Sequence, residues 1–270
     1  MTYQIQRLKL GGVLDQAIAL TKNHFGLLFS IMAIVLIPYS LITSFIMLAV
    51  LPTPPQMGAS SEQLIAFQQA IAKNLPLTVV SGLLSILIVL PLTNAAVVDA
   101  VAKVYLGKPA SALDSIKVGI SRLLPLFWTS ILMFLAIMGG VILLIIPGIL
   151  FAFWFSLSTH VVVLENINGG AALGRSRKLM SGNIGTVFVL GILMAAIGFG
   201  IGMVAGFVPQ PHVQVILRIL MQATMTILST AAMVVFYFSC RCGHENFDLE
   251  HLAQSMGQET ATVSDEVDEF

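Results

Sequence analysis

Six apolar blocks, nearly free of charge, occupy most of this chain: about 25–51, 75–98, 124–146, 149–164, 184–208 and 213–239. At 1.5 Å per residue, a helix of about 20 residues crosses a hydrocarbon core about 30 Å thick. Hydrophobic residues make up 57% of the chain and charged ones 10%, against roughly a quarter charged in an ordinary soluble domain. Nothing alternates in the ten-residue pattern that a membrane β-barrel requires. The expected fold is all-α and integral to a membrane, with six transmembrane helices forming one domain over residues 1–250. A tail over 251–270, ending TVSDEVDEF, has the composition of a disordered segment. The first block is too long for the core of a cleavable signal, and it is expected to remain as an anchor.

The connections set the orientation. Eleven Lys and Arg fall on the side of the termini: Arg7, Lys9, Lys22, the four within 103–122, Arg175, Arg177, Lys178 and Arg241. Lys73 and Arg218 fall on the other. The positive-inside rule therefore predicts both termini in the cytoplasm, with the chain in a bacterial inner membrane. Pro38 is expected to kink the first span, and Pro91 and Asn94 lie in the later half of the second. Residues 61–73 can form a surface helix after a Pro-rich turn. Pro147-Gly148 should separate the third and fourth spans at or below the membrane surface, with Phe151, Phe153, Trp154 and Phe155 in an aromatic belt. The fifth and sixth spans should be joined by the turn Pro209-Gln-Pro211.

Three segments on the terminal side align: VLDQAIALTKNHFGLLF from Val13, ALDSIKVGISRLLPLFW from Ala112 and ALGRSRKLMSGNIGTVF from Ala172. Leu14, Leu113 and Leu173 correspond, as do Gly26, Pro125 and Gly185, and Phe29, Trp128 and Phe188. The expectation is three repeats, each an interfacial helix that turns sharply into a two-span hairpin.

Polar residues near the apolar blocks are the candidate sites. Asp99 and Glu165 are the acids nearest the membrane, and each is expected to pair with Arg175 or Arg241. The cluster Arg175, Arg177 and Lys178 is the candidate for binding lipid head groups. Glu165, Arg175 and Arg241 together form a candidate structural clamp. Gln222, Thr226, Ser229 and Thr230 share one helical face and are the candidate cavity lining, with Arg218 able to snorkel nearby. His160, with Ser156, Ser158 and Thr159, suits bonding between helices. Gly198, Gly202 and Gly206 form a small-residue stripe expected to pack within the chain.

Catalytic and metal signatures are weak. Cys240-x-Cys242-x-His244 has the wrong cysteine spacing for a usual zinc site and lacks a fourth ligand. Ser156 and His160 stand four apart, without a nucleophile motif around them. No HExxH motif, P-loop or paired carboxylates occur. No enzyme, metal or cofactor is expected, and zero net charge gives no reason to expect a nucleic-acid partner.

Ile146-Pro147-Gly148-Ile149, VVVLE ending at Glu165, Ala172-Leu173, Arg175-Ser176, Leu179 and Gly182-Asn183 make a recurrent set with Phe236-Tyr237, Arg241 and Glu245-Asn246-Phe247-Asp248-Leu249-Glu250. This set resembles the membrane domain associated with glycerophosphoryl diester phosphodiesterases and related six-span bacterial proteins. Those relatives usually carry Arg-x-Arg and Glu-Gly-Phe-Asp-Leu near the end, where this chain has Arg241-Cys242-Gly243 and Glu245-Asn246-Phe247. The resemblance implies a membrane module without the hydrolase. The expected function is a non-enzymatic inner-membrane protein that interacts with lipids or scaffolds envelope components. It could act as a homo-oligomer or with an envelope partner. The alternative is a transporter or channel for a lipid-related or small amphipathic solute.

Overall fold

The computed structural model describes residues 3, 5–50, 60–206, 210–245, 247 and 248. The Pro-rich turn after the first apolar block, Pro209, and the tail from 249 onward lie outside the described residues. Every regular element among those described is helical. Five helical stretches are long and apolar enough to cross a membrane, or six if one sharply bent pair counts as a span.

Prolines shape the first two spans. Helices α1 (Leu10–Asn23) and α2 (Phe25–Ile34) meet at His24 with a bend of 73°. A break at Val35 separates α2 from α3 (Leu36–Val50). Pro38 cannot donate to the carbonyl of Ile34 and its ring crowds that group, so the helix gives way one turn before the proline. After α4 (Ser61–Lys73), α5 (Leu75–Leu84) leads through a π-helical turn at Ser85–Val89 into α6 (Leu90–Tyr105). The widened turn directly precedes Pro91, which cannot donate to Leu87. Helix α4 starts at a capping box: Ser60 Oγ accepts from the Gln63 amide, and the Gln63 side chain accepts from the Ser60 amide.

The remaining helices are α7 (Ala112–Leu143), α8 (Ile145–Trp154), α9 (Ser158–Leu164), α10 (Gly169–Met180), α11 (Ile184–Gly206) and α12 (Pro211–Glu245). Two expected breaks move. The turn after the third span falls at Leu144, in extended backbone, and Pro147 sits inside the first turn of α8, where its missing N–H costs nothing. Gly148 is the reason the hairpin is tight: a Cβ on Gly140 would lie 2.9 Å from the Gly148 Cα. At Pro125 no turn occurs, and α7 runs through it unbroken. Ser115, Ile116 and Gly119 are buried before that proline and Leu126 and Thr129 after it, so packing holds both sides in one helix. The other two aligned segments do break, at His24 and at Ser181–Asn183.

Helices α6 and α12 form the centre. Ala95, Ala96, Val97, Ala100 and Val101 of α6 and Ala231, Ala232, Val234, Val235 and Tyr237 of α12 are fully or almost fully buried. Small residues let backbones approach: a Cβ at Gly119 of α7 would stand 2.9 Å from the Leu92 carbonyl oxygen of α6. The N-terminal segment joins the same end of the bundle as the last turns of α12, with the Leu8 amide donating to Ser239 Oγ at 2.8 Å. This is the terminal end. The opposite, distal end carries the α7–α8 turn and the start of α12. There α5 buries nothing, and Ile142, Leu143 and Ile146 are each 79% exposed.

Candidate functional site

Two polar regions stand out, one at each end. At the terminal end, Glu165 follows α9, Arg175 lies mid-way along α10, and the last turns of α12 supply Tyr237, Arg241 and Glu245. Arg175 Nε donates to Glu165 Oε2 at 2.8 Å and Nη2 to Oε1 at 3.0 Å. The other edge of the guanidinium faces Glu245, with Nη2 to Oε2 at 2.9 Å and a second bond from Nη1 to Oε1. Arg241 Nε donates to Glu245 Oε2 at 3.1 Å, and Tyr237 Oη to Glu165 Oε1 at 2.6 Å. Both carboxylates thus meet the Arg175 guanidinium through two bonds each, the strong form of ion pair, and Arg241 adds a single bond to Glu245. The bonds from Glu245 and Glu165 hold the Arg175 pKa above its already high value, against the opposing effect of burial.

The arrangement joins α9, α10 and α12 and is electrically closed. Both long edges of Arg175 are occupied by carboxylates and its side chain is only 17% exposed. Arg177 and Lys178 are exposed on the same helix, and the Arg177 guanidinium lies 4.2 Å from the Trp154 ring centroid. Glu165 therefore meets Arg175, while Arg241 turns to Glu245, one helical turn along. Asp99 pairs with neither arginine. Helix α6 continues past the apolar block, so Lys103 stands one turn on and binds Asp99 at 2.7 Å.

His160 is buried and its ring stacks on Tyr237, centroids 6.2 Å apart. Neither ring nitrogen has a hydrogen-bond partner among the described residues, so the expected bond between helices is replaced by ring packing. Ser156 and Ser158 face the sulfurs of Met180 and Met133. Cys240 and Cys242 are buried free thiols, and the His244 ring contacts the Ser181 carbonyl at 3.1 Å instead of joining them. Phe153 packs edge-on against Phe188. A small cavity of about 210 Å³ opens beside Asp99, Lys103, Lys108 and Arg241, yet two of its three cations are already paired.

The distal region is open. A groove of about 410 Å³ lies between α3, the α5–α6 span and α12. Seven hydroxyl side chains line it: Tyr39, Ser40, Thr43 and Ser44 from α3, and Thr78, Ser81 and Ser85 from the second span. Helix α12 contributes Arg218 and Gln222, one turn apart. Of the four candidate lining residues, Gln222 alone reaches this groove. Thr226 and Ser229 bond back to their own helix and Thr230 is buried. Deeper along α12, Ala223, Ile227 and Ala231 are wholly buried, so the groove enters from the side and the inner face of the helix below it is packed. The glycine stripe also differs from expectation. A Cβ on Gly198 or Gly202 would meet nothing within 4 Å, and both glycines line a second opening next to Arg218 and Gln222. Gly206 has no described surroundings.

Sequence reasoning missed Glu245 as a clamp residue and the hydroxyls of α3 and α5 as groove walls. The signal for Glu245 was its spacing of four from Arg241. The hydroxyls gave none, since serine and threonine are ordinary within membrane helices.

No curated protein and no solved structure matches this chain. One family profile, described as a domain of unknown function (DUF8558), matches residues 124–263. That region holds the whole terminal clamp together with Arg218 and Gln222. It covers a little over half of the chain, which therefore belongs to the DUF8558 family.

Proposed function

We propose that this chain is a non-enzymatic, multi-pass protein of a bacterial inner membrane that interacts with lipids through its terminal end. One observation carries the reading: Arg177 and Lys178 are exposed beside Trp154, with Arg177 over the indole face. Indole rings favour head-group depth, and each cation there contributes about 1 kcal/mol against an anionic leaflet. The clamp fixes α10 against α9 and α12 and so holds these cations in place. The kinship to the membrane domain of glycerophosphoryl diester phosphodiesterases, the three-unit repeat, the cytoplasmic termini and a partner in the envelope belong to the same proposal.

Native mass spectrometry of the detergent-purified protein tests it. The wild type is expected to retain phosphatidylglycerol over phosphatidylcholine, and the double variant Arg177→Gln, Lys178→Gln to lose one bound phosphatidylglycerol per protein and so to show a weaker preference. An unchanged preference in the double variant sinks the reading.

The distal groove favours a second reading, transport of a lipid-related amphiphile. Saturable flux into liposomes containing the purified protein would establish it and displace the scaffold reading.

A further inference from the structure

We infer that the distal groove is a two-compartment site for an anionic amphiphile, its charged head on Arg218 and its hydrocarbon chain beside the glycines of α11. This goes beyond the terminal-end reading but rests on its premise that the chain engages lipids.

The charge argument comes first. Arg218 stands seven residues into α12, about 10 Å along a membrane-spanning helix. It has neither an ion pair nor a hydrogen bond among the described residues, whereas Arg175, Arg241 and Lys103 are all bound to carboxylates. Of the carboxylates in the chain, Glu62 alone belongs to the connection at the distal end. Its guanidinium is exposed and has no counter-charge among the described residues, so it is open to an anionic partner. Its five N–H groups are all donors, which suits phosphate or carboxylate oxygens.

The surroundings suit an anion as well. Thr43 donates to the Tyr39 carbonyl at 2.9 Å, and Thr78 and Ser81 donate to carbonyls of their own helix. Those protons are committed. Ser40, Ser44, Ser85 and the Gln222 amide have no hydrogen-bond partner among the described residues, so their donors remain for an occupant of the groove.

The second compartment makes the occupant amphipathic. Arg218 and Gln222 also border an opening of about 230 Å³ whose other walls are Gly198, Ile201, Gly202, Met221 and Met225. That slot is apolar, and the missing side chains of Gly198 and Gly202 create its room. Methionine walls adapt to chains of varied shape. An inorganic ion would need the groove alone; only a molecule with a hydrocarbon tail uses both spaces, and they meet at the two residues able to hold its head.

The test uses the full chain purified in detergent, with phosphatidylglycerol and phosphatidylcholine supplied in equal amounts and retained lipid read by native mass spectrometry. Arg218→Gln is expected to lower the occupancy of a second, separately counted phosphatidylglycerol at least about fivefold, and Arg218→Lys to restore part of it. Gly202→Leu, which fills the slot and leaves the charge, is expected to lower it too. Inorganic phosphate, added instead of lipid, should bind wild type and Gly202→Leu alike and far more weakly. Wild-type retention in Arg218→Gln overturns the inference. So does phosphate binding as strong as that of the lipid, or a Gly202→Leu variant that retains lipid normally. The Arg177→Gln, Lys178→Gln variant separates the two readings. Loss there alone leaves the terminal-end reading and removes this one, and loss in Arg218→Gln alone does the reverse.

Discussion

The two ends of this bundle treat charge in opposite ways. At the terminal end, Arg175, Arg241, Glu165 and Glu245 neutralise one another and Tyr237 caps the array. Helices α6 and α12 are packed there with buried alanines, valines and aromatic rings. At the distal end, Arg218 has no described partner, α5 buries no residue, and the glycines of α11 face open space. A closed polar array in a dense core holds helices in register, while an unpaired cation beside open grooves leaves a place for something else. Stability therefore concentrates at one end and binding capacity at the other.

Five substitutions can break or sharpen this contrast. The largest effect is expected for Arg175→Gln, which leaves Glu165 and Glu245 facing each other in a largely buried setting. Removing one partner of such an array costs roughly 3 kcal/mol, so the midpoint of thermal unfolding in detergent should fall by several degrees. If Arg218→Gln destabilised the protein as much, the division between the ends would fail. Next, Gly119→Ala should cost about 1–3 kcal/mol, because its Cβ would press on the Leu92 carbonyl and on α6 backbone. The same change at Gly202 meets open space and should leave unfolding nearly unchanged; comparable losses would mean that α11 packs as closely as α7.

Smaller still is Tyr237→Phe. It removes the donor to Glu165 while keeping the ring against His160, and a lost hydrogen bond to a charged group costs about 1.5–3 kcal/mol when fully buried. Partial exposure of Glu165 puts the expectation near the lower figure, read from chemical denaturation. The smallest effect belongs to Arg218→Gln itself: within about 0.5 kcal/mol of wild type in lipid-free detergent, with the difference appearing only when phosphatidylglycerol is added.

Local features were legible in the sequence to different degrees. The surface helix at Ser61–Lys73 was readable as a polar stretch of helix length following a Pro-rich segment. The apolar blocks announced helices long enough to span a membrane. Element ends were less accessible. The third span was expected to begin at 124, yet α7 starts at Ala112, because burial around Gly119 overrides the turn preference of Pro125. The pairing of Glu165 was open between Arg175 and Arg241, since composition cannot tell which of two arginines a fold brings nearer. Glycine patterns were ambiguous for the same reason: Gly119 sits against a neighbouring helix and Gly198 does not, and nothing in their flanking residues distinguishes them.

By itself the sequence determined what depends on a few neighbouring residues: helical character and apolar length. These follow from backbone sterics and from transfer of apolar side chains out of water, both of which act locally. Tertiary structure alone decided that Arg175 meets Glu245 across seventy residues and that Arg218 stands among hydroxyls drawn from α3 and α5. Those pairings depend on which helix faces pack together. Small side chains and close backbone contacts distributed along the whole chain set that choice, which no local window contains.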